Sequence, residues 1–384
     1  MGKIDEYLEQ AKTKSQLRFL RPAGFRREGR ICFKGREFFD FSSNDYLGLS
    51  GHAKLKEASV KAIEQFGVGS GASRLLSGDL KIHHELEERV ACFKGKEAAL
   101  VFNSGYQANV GIINALYGRG DVIFADKLCH ASIWDGIKLS GAELFRFGHN
   151  DVGQLEKLLK GKADKFKRRL IVTETVFSMD GDKPPLKEMV ELKERHGCEL
   201  MVDEAHATGI FGADGGGVVS EFGLVERVDL IMGTFSKALG SFGAYLAGSA
   251  ETIEYLINTC RSFIYSTALP AGIISANIAS LELVRDEPFR RKELLENAYY
   301  FRNELRKKGF KVAGTSQIIP LVVGDTEKTI LLSEKLCERG YWSLPIRPPT
   351  VPAGQSRLRF SLTYNHSKEI LEALANDIAG ISKS

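Results

Sequence analysis

Residues 228–243 read VDLIMGTFSKALGSFG. The apolar run VDLIM passes directly into small residues around one lysine, Lys237. Lysine is among the side chains least often buried without a partner. A primary amine at the end of what reads as a core strand therefore needs a chemical reason. The preceding apolar run, CELMVDEA (198–205), ends in the same fashion, with Asp203 34 residues before Lys237. In open α/β sheets ligands collect at the carboxyl ends of strands. An acid there costs desolvation unless a cation or donor meets it. Two successive strands thus each end in a functional group: Asp203 on one, and Thr234, Ser236 and Lys237 on the next.

A third stretch, AALVFNSGYQAN (98–109), runs an apolar strand into Asn103-Ser104-Gly105 and the start of a helix. That turn offers free backbone N–H groups and a positive helix end, a natural anion site. A lysine desolvated in such a pocket has its pKa lowered, and its neutral amine can form a Schiff base with an aldehyde. An acid for a pyridinium nitrogen, hydroxyls and N–H groups for a phosphate, and a Schiff-base lysine together describe a pyridoxal phosphate site. Each element alone has a plainer reading. Asp203 could cap a helix, and Lys237 could snorkel from a surface. Their joint occurrence, in order on successive strand ends, favours the cofactor. Other chemistries fit less well. Asp203 and His206 lack a third metal ligand nearby. GVGSGASR (67–74) follows a helical run, where a dinucleotide fingerprint needs a strand; it reads plainly as a flexible loop and, if functional, as a substrate-covering one. FNSGY and VFSMDG lack the G-x-S-x-G elbow. HHELEER (83–89) reads as a solvated helix face.

Further apolar runs, DVIFAD (121–126), LIVTE (170–174) and AYLAG (244–248), alternate with helical patterns such as Leu55–Gln65, His83–Phe93 and LKEMVELKERHG. Continuous apolar runs suit strands buried on both faces of a largely parallel sheet. The N-terminus reads as an amphipathic helix to about residue 20, followed by strand-like RICFKG and REFFDFS. Beyond about residue 275 a charged helical region, Asn277 to Lys308, leads to a smaller α+β segment. The expected domains are 1–44, with the N-terminal helix and strands, 45–275, the large cofactor-binding domain, and 276–384, the small C-terminal domain.

The chain has 384 residues, 43% of them hydrophobic, and a formal charge of 53 − 49 = +4. That balance gives no reason to expect nucleic acid or an anionic membrane surface as a partner. The six cysteines form no CxxC pair and read as reduced thiols. No stretch approaches a membrane span, and Glu6 stands where a myristoylation motif needs Ser or Thr. The expected location is the cytoplasm.

The chain resembles the α-oxoamine synthases, pyridoxal-phosphate enzymes. The resemblance runs over nearly the whole length: SSNDYLGLS, GSGASRLLSG, FNSGYQAN, DKLCHASIWDG, VFSMDGD, VDEAHATG, TFSKALG and IYSTALP. It implies the aspartate-aminotransferase-like transferase fold (type I), with a large, mostly parallel sheet domain and a smaller α+β C-terminal domain. By similarity Lys237 carries the Schiff base and Asp203 faces the pyridine nitrogen. His130 stacks on the ring, and His206 bonds the phenolic oxygen. Gly105 and Tyr106 supply the phosphate turn, with Ser178, Thr234 and Ser236 nearby. Tyr106 stands where many relatives carry Phe or another aromatic. Thr267 or Ser266 of a neighbouring subunit completes the phosphate site, which implies a homodimer. Arg359 would clamp an amino acid carboxylate, with Asn44 beside it, and Arg18 and Thr350 match positions near an acyl substrate. IRPPTVPAGQSRLRFSLT (346–363) resembles the branch that joins L-alanine to a pimeloyl thioester, on CoA or acyl carrier protein, in biotin synthesis. Competing readings are glycine C-acetyltransferase and 5-aminolevulinate synthase within the family, an aminotransferase or racemase on the same fold, and a cofactor-binding regulator.

Overall fold

The apolar runs form a seven-stranded sheet: β1 (Ala98–Phe102), β2 (Val122–Asp126), β3 (Glu143–Phe147), β4 (Arg169–Glu174), β5 (Glu199–Asp203), β6 (Leu230–Thr234) and β7 (Ala244–Gly248). The computed structural model describes residues 2–14 and 16–383. The strand order is β1-β7-β6-β5-β4-β2-β3. β7 is antiparallel to both neighbours, and the other pairings are parallel. β2, β6 and β7 are buried throughout, as continuous apolar runs require. β3, ELFRF, closes one edge with a mixed burial pattern. Its apolar residues alternate with Glu143 and Arg146, so the run lacks the continuous signal of its neighbours.

This sheet belongs to a unit comprising residues 45–178 and 182–292. Three of its helices matter most for the site: α1 (Ala53–Phe66), α2 (Lys81–Lys94) and α3 (Gly105–Leu116). Two more follow, α4 (Ala131–Ser140) and α5 (Ala271–Asp286). Buried Ile112, Leu116, Ile133 and Ile137 join α3 to α4 in the core under the sheet. Each such side chain contributes on the order of 2 kcal/mol by leaving water. Gly136 of α4 permits the close approach. A Cβ there would sit 3.0 Å from the Asn109 carbonyl oxygen and 3.1 Å from the Val110 Cα. α5 packs on α1 and α2, and at its Gly272 an added Cβ would lie 3.0 Å from Ile63 Cγ1 of α1. The expected domain boundary at 275/276 falls inside α5, and the division instead lies at 292/293. The charge that marks the sequence after residue 275 is on the exposed face of a helix whose other face is core. That stretch is also two helices, α5 and Pro288–Lys307, interrupted at Glu287.

HHELEER lies in α2, and the expectation of a solvated face is corrected there: His83 and Leu86 are buried. His83 Nε2 bonds the Leu269 carbonyl at 3.0 Å, and Glu87 holds Arg74.

The second unit comprises residues 1–44, 179–181 and 293–384. It has a sheet of Phe25–Arg27, Arg30–Phe33, Arg36–Asp40 and Tyr341–Trp342, and another of Ile318–Gly324, Ser356–Ser361 and Pro345–Ile346. Phe41, Phe301, Phe360, Leu371, Leu374 and Ile378 are among its buried side chains. The N-terminal helix spans Lys3–Thr13 and stops well before residue 20. Ile4, Tyr7 and Leu8 are exposed, so little packing supports further turns of a short helix. Among the described residues, no helix is long and apolar enough to cross a membrane.

Candidate active site

Parallel strands that end together set out their last side chains in a row. Glu174 of β4 is in register with Asp203 of β5, and Asp203 with Met232 of β6. The chain then runs through Thr234 and Ser236 to Lys237. These residues, with Gly105, Tyr106, Asn109, His130, Ala205 and His206, line one cavity of about 200 Å³.

Asp203 is 5% exposed and its carboxylate is oriented from two sides. Oδ1 accepts the Ala205 N–H at 2.8 Å, and Oδ2 accepts Asn109 Nδ2 at 2.9 Å. The same amide donates to Ser132 Oγ at 3.0 Å, which lies 2.8 Å from His130 Nδ1. His130 also caps α4, its Nδ1 accepting the Ser132 N–H at 3.3 Å. With Nδ1 the acceptor, the neutral ring carries its proton on Nε2 as a donor. Burial first, then the positive charge of Lys237, holds the imidazole below its ordinary pKa against the pull of Asp203. His130 is nonetheless exposed to solvent. A single line of bonds therefore runs from Asp203 through Asn109 and Ser132 to His130.

Lys237 is half-buried, and its Nζ lies 2.9 Å from His206 Nε2. His206 Nδ1 lies 2.7 Å from the hydroxyl of fully buried Tyr46. The tautomer follows the lysine: an ammonium donates to Nε2 and leaves Nδ1–H to donate to Tyr46, whereas a neutral amine accepts from Nε2–H while Tyr46 donates. The imidazole thus tracks the charge state of Lys237.

The phosphate-side elements are present in part. Ser104 caps α3, its Oγ accepting the Gln107 N–H at 3.2 Å. The N–H groups of Gly105 and Tyr106 have no acceptor within the helix by position. Tyr106 donates its hydroxyl to Asp135. Thr234 and Ser236 both donate to the Gly243 carbonyl, at 2.7 and 3.2 Å. Gly243 has φ +101°, a conformation that favours glycine. Ser178 is half-buried and lies outside the cavity walls. Ser266 and Thr267 also lie elsewhere, beside Asn103, whose Nδ2 donates to Ser266 Oγ and to the Thr267 carbonyl, each at 2.9 Å.

In the second unit Arg359 is 8% exposed, with Nη1 2.6 Å from Ser361 Oγ and Nη2 3.2 Å from Asn44 Oδ1. Arg18 Nη2 donates to Thr350 Oγ1 at 3.2 Å. Both line a separate open cavity of about 500 Å³, with Leu17, Phe19, Trp342 and Pro345 as apolar wall. Arg21 and Arg347 bring two more guanidinium groups to it. Among the described residues, none of the three arginines is in an ion pair. Burial, then the charges of Arg21 and Arg18, lowers the Arg347 pKa.

Four residues escaped the sequence reading: Tyr46, Asn109, Ser132 and Glu174. Asn109 was the most legible, since position i+4 from Gly105 shares its helix face. Glu174 obeys the same strand-end logic that singled out Asp203.

The strand-end cavity passes a chemical test for pyridoxal phosphate. It holds an oriented, buried carboxylate for a cationic ring nitrogen, an amine for an aldehyde, and a helix start for an anion. A family model for aminotransferase class I and II matches residues 36–378. The chain is 48% identical over 386 residues to an 8-amino-7-oxononanoate synthase of Geotalea daltonii, covering 100% of this chain and 98% of that one. The enzyme of the same name from Geobacter sulfurreducens is 49% identical over 380 residues, with 98% and 97% covered. Among solved structures, Sphingomonas wittichii serine palmitoyltransferase matches with a TM-score of 0.93 at 33% identity, covering 99% of this chain and 97% of that one. The chain belongs to the class I and II aminotransferase family of pyridoxal-phosphate enzymes and, within it, to the acyltransferase group of the 8-amino-7-oxononanoate synthases.

Proposed function

We propose that the chain condenses L-alanine with a pimeloyl thioester to give 8-amino-7-oxononanoate, carbon dioxide and the free thiol carrier, a step of biotin synthesis. The observation that carries the reading is Lys237 sharing one cavity with Asp203 and the start of α3. When bound, pyridoxal phosphate supplies an aldehyde for an amine and a ring that accepts an electron pair from the amino acid α-carbon. The rest is the work of the chain's own groups. Asp203, fixed by Asn109 and the Ala205 N–H, holds a proton on the ring nitrogen. Lys237 Nζ takes the α-proton of alanine as general base, and His206 adjusts its tautomer to the charge that results. The α-carbon then bonds to the thioester carbonyl carbon. The C–S bond breaks with its electrons on sulfur, the carboxylate leaves as carbon dioxide, and the α-carbon regains a proton. His130 Nε2–H is the donor for the oxyanion that develops at the thioester carbonyl. Its other assigned role is to stack on the ring.

The N–H groups of Gly105 and Tyr106 would receive the phosphate, with Ser178, Thr234 and Ser236 as further partners. Ser236 would have to turn its hydroxyl from Gly243. Thr267 or Ser266 would serve a second copy in a homodimer, so dilution to monomer should abolish activity. Arg359 with Asn44 is assigned to the alanine carboxylate, a bidentate task that lysine performs poorly. The choice of a pimeloyl donor draws on the relatives' names and on the cavity beside Arg18 and Thr350. Apolar walls with three guanidinium groups suit an acyl chain that ends in a carboxylate. The six free cysteines suit a reducing cytoplasm.

The deciding assay offers alanine, glycine and serine against pimeloyl, acetyl and palmitoyl thioesters, on CoA and on acyl carrier protein, and follows thiol release. Alanine with a pimeloyl donor should be the best pair. Preference for glycine with acetyl-CoA would move the chain to glycine C-acetyltransferase. Amino-group exchange without thiol release would make it an aminotransferase.

A further inference from the structure

Glu174 lines the same cavity as Asp203 and is 2% exposed. The two carboxyls end adjacent parallel strands in register. Their surroundings differ. Asp203 receives two donors, the Asn109 amide and the Ala205 N–H. Glu174 Oε1 is buried and has no hydrogen-bond partner. Two neighbouring carboxyls in a water-poor site cannot both ionise without a large penalty. The negative charge settles where donors are most numerous, on Asp203. An ionised Oε1 would need donors that it does not have, so the neutral acid costs less there. Glu174 is flanked by ionisable groups on every side: Asp203 on β5, Asp126 on β2, Lys237 after β6, and Cys129 and His130 before α4. Burial and then the Asp203 charge push its pKa up, with Lys237 opposing. The Cys129 thiol, raised by burial, adds no charge.

We propose that Glu174 stays protonated at neutral pH and leaves Asp203 as the single anion of the pair. The inference rests on the pyridoxal-phosphate reading of the cavity for its functional meaning, but its protonation state is measurable without cofactor. The proton keeps the negative charge of the pair on Asp203, the carboxyl that Asn109 and the Ala205 N–H orient.

The test uses the full chain, with and without cofactor, and the variants Glu174→Gln and Glu174→Ala. In cofactor-free protein near neutral pH, infrared difference spectra of wild type against Glu174→Gln should show the carbonyl stretch of one protonated carboxylic acid. Absence of that band would overturn the inference while leaving the cofactor assignment intact. In the loaded enzyme, Glu174→Ala, which leaves a gap for water beside Asp203, should lower kcat roughly tenfold, with little change in KM for alanine. Glu174→Gln, a neutral isostere that fills the same space, should recover most of that loss. It should also leave the pH midpoint of the cofactor's visible absorption where wild type has it. A Gln variant as impaired as Ala, or one with a displaced midpoint, would show that an ionised Glu174 is required and defeat the proposal. Failure of every variant and of wild type to bind pyridoxal phosphate would instead strike the underlying reading.

Discussion

In the strand-end cavity the charged groups are tied to partners within the chain. Asp203 is held by Asn109 and Ala205, Lys237 by His206, and His206 by Tyr46. In the cavity of the other unit, Arg18, Arg21 and Arg347 converge among apolar side chains with no carboxylate in ion-pair reach among the described residues. The first arrangement is organised before any ligand arrives, so displacing one atom disturbs all the others. The second stores mutual repulsion that a ligand anion relieves, so it acts chiefly on binding. On the proposed function, chemistry belongs to the first cavity and choice of acyl partner to the second.

The largest test of that division removes the amine. Lys237→Ala should cut turnover on the order of 10³-fold or more. Alanine and cofactor should still bind, as a spectral titration would show. Near wild-type turnover would remove the distinction between the cavities. A smaller effect is expected from Arg347→Met. It should raise KM for a pimeloyl thioester roughly tenfold, the loss of one charge-assisted contact, with kcat little changed. A heptanoyl thioester, which lacks the terminal carboxylate, should not feel the substitution. Equal losses for both donors would mean that the arginines do not read charge.

The smallest test concerns compensated charge away from the cavity. His149 lies 3.1 Å from Asp126 and 2.9 Å from Asp182. Burial alone would lower its pKa, but the hydrogen bonds to Asp126 and then Asp182 outweigh it and raise the value to about 9. The folded value lies above the ordinary histidine value of 6.5. The stabilisation is therefore complete below the unfolded pKa and is lost as pH rises through about 9. Because the ring is partly accessible to water, the effect should be about 1 kcal/mol or less. Denaturant midpoints should fall over that pH window in wild type, and His149→Gln should flatten the decline. An unchanged slope would contradict the assignment.

Much of the sheet was legible because strands buried on both faces must be apolar throughout, as AALVF, DVIFAD and LIVTE are. β3 was not, since an edge strand needs only one apolar face and Glu143 and Arg146 interrupt it. The N-terminal helix was read too long because Leu17, Phe19 and Leu20 extend an apolar pattern whose side chains line a cavity. Within the cavity, Asp203 and Lys237 stood out by being out of place after apolar runs. Glu174 was equally out of place, but it lacked a partner motif to draw the eye. Asn109 and Ser132 act by linking other side chains, a role with no local signature. Ser178 and Thr267 entered through family resemblance alone, and neither lines the cavity of this chain.

The central claim is that the amine of Lys237 forms the imine with pyridoxal phosphate. Borohydride reduction of the loaded enzyme, proteolysis and mass spectrometry of the peptides test it directly. One reduced pyridoxyl group per chain should be found, on the peptide that carries Lys237. A group on another lysine, or none after the cofactor's colour has been bleached, would contradict it.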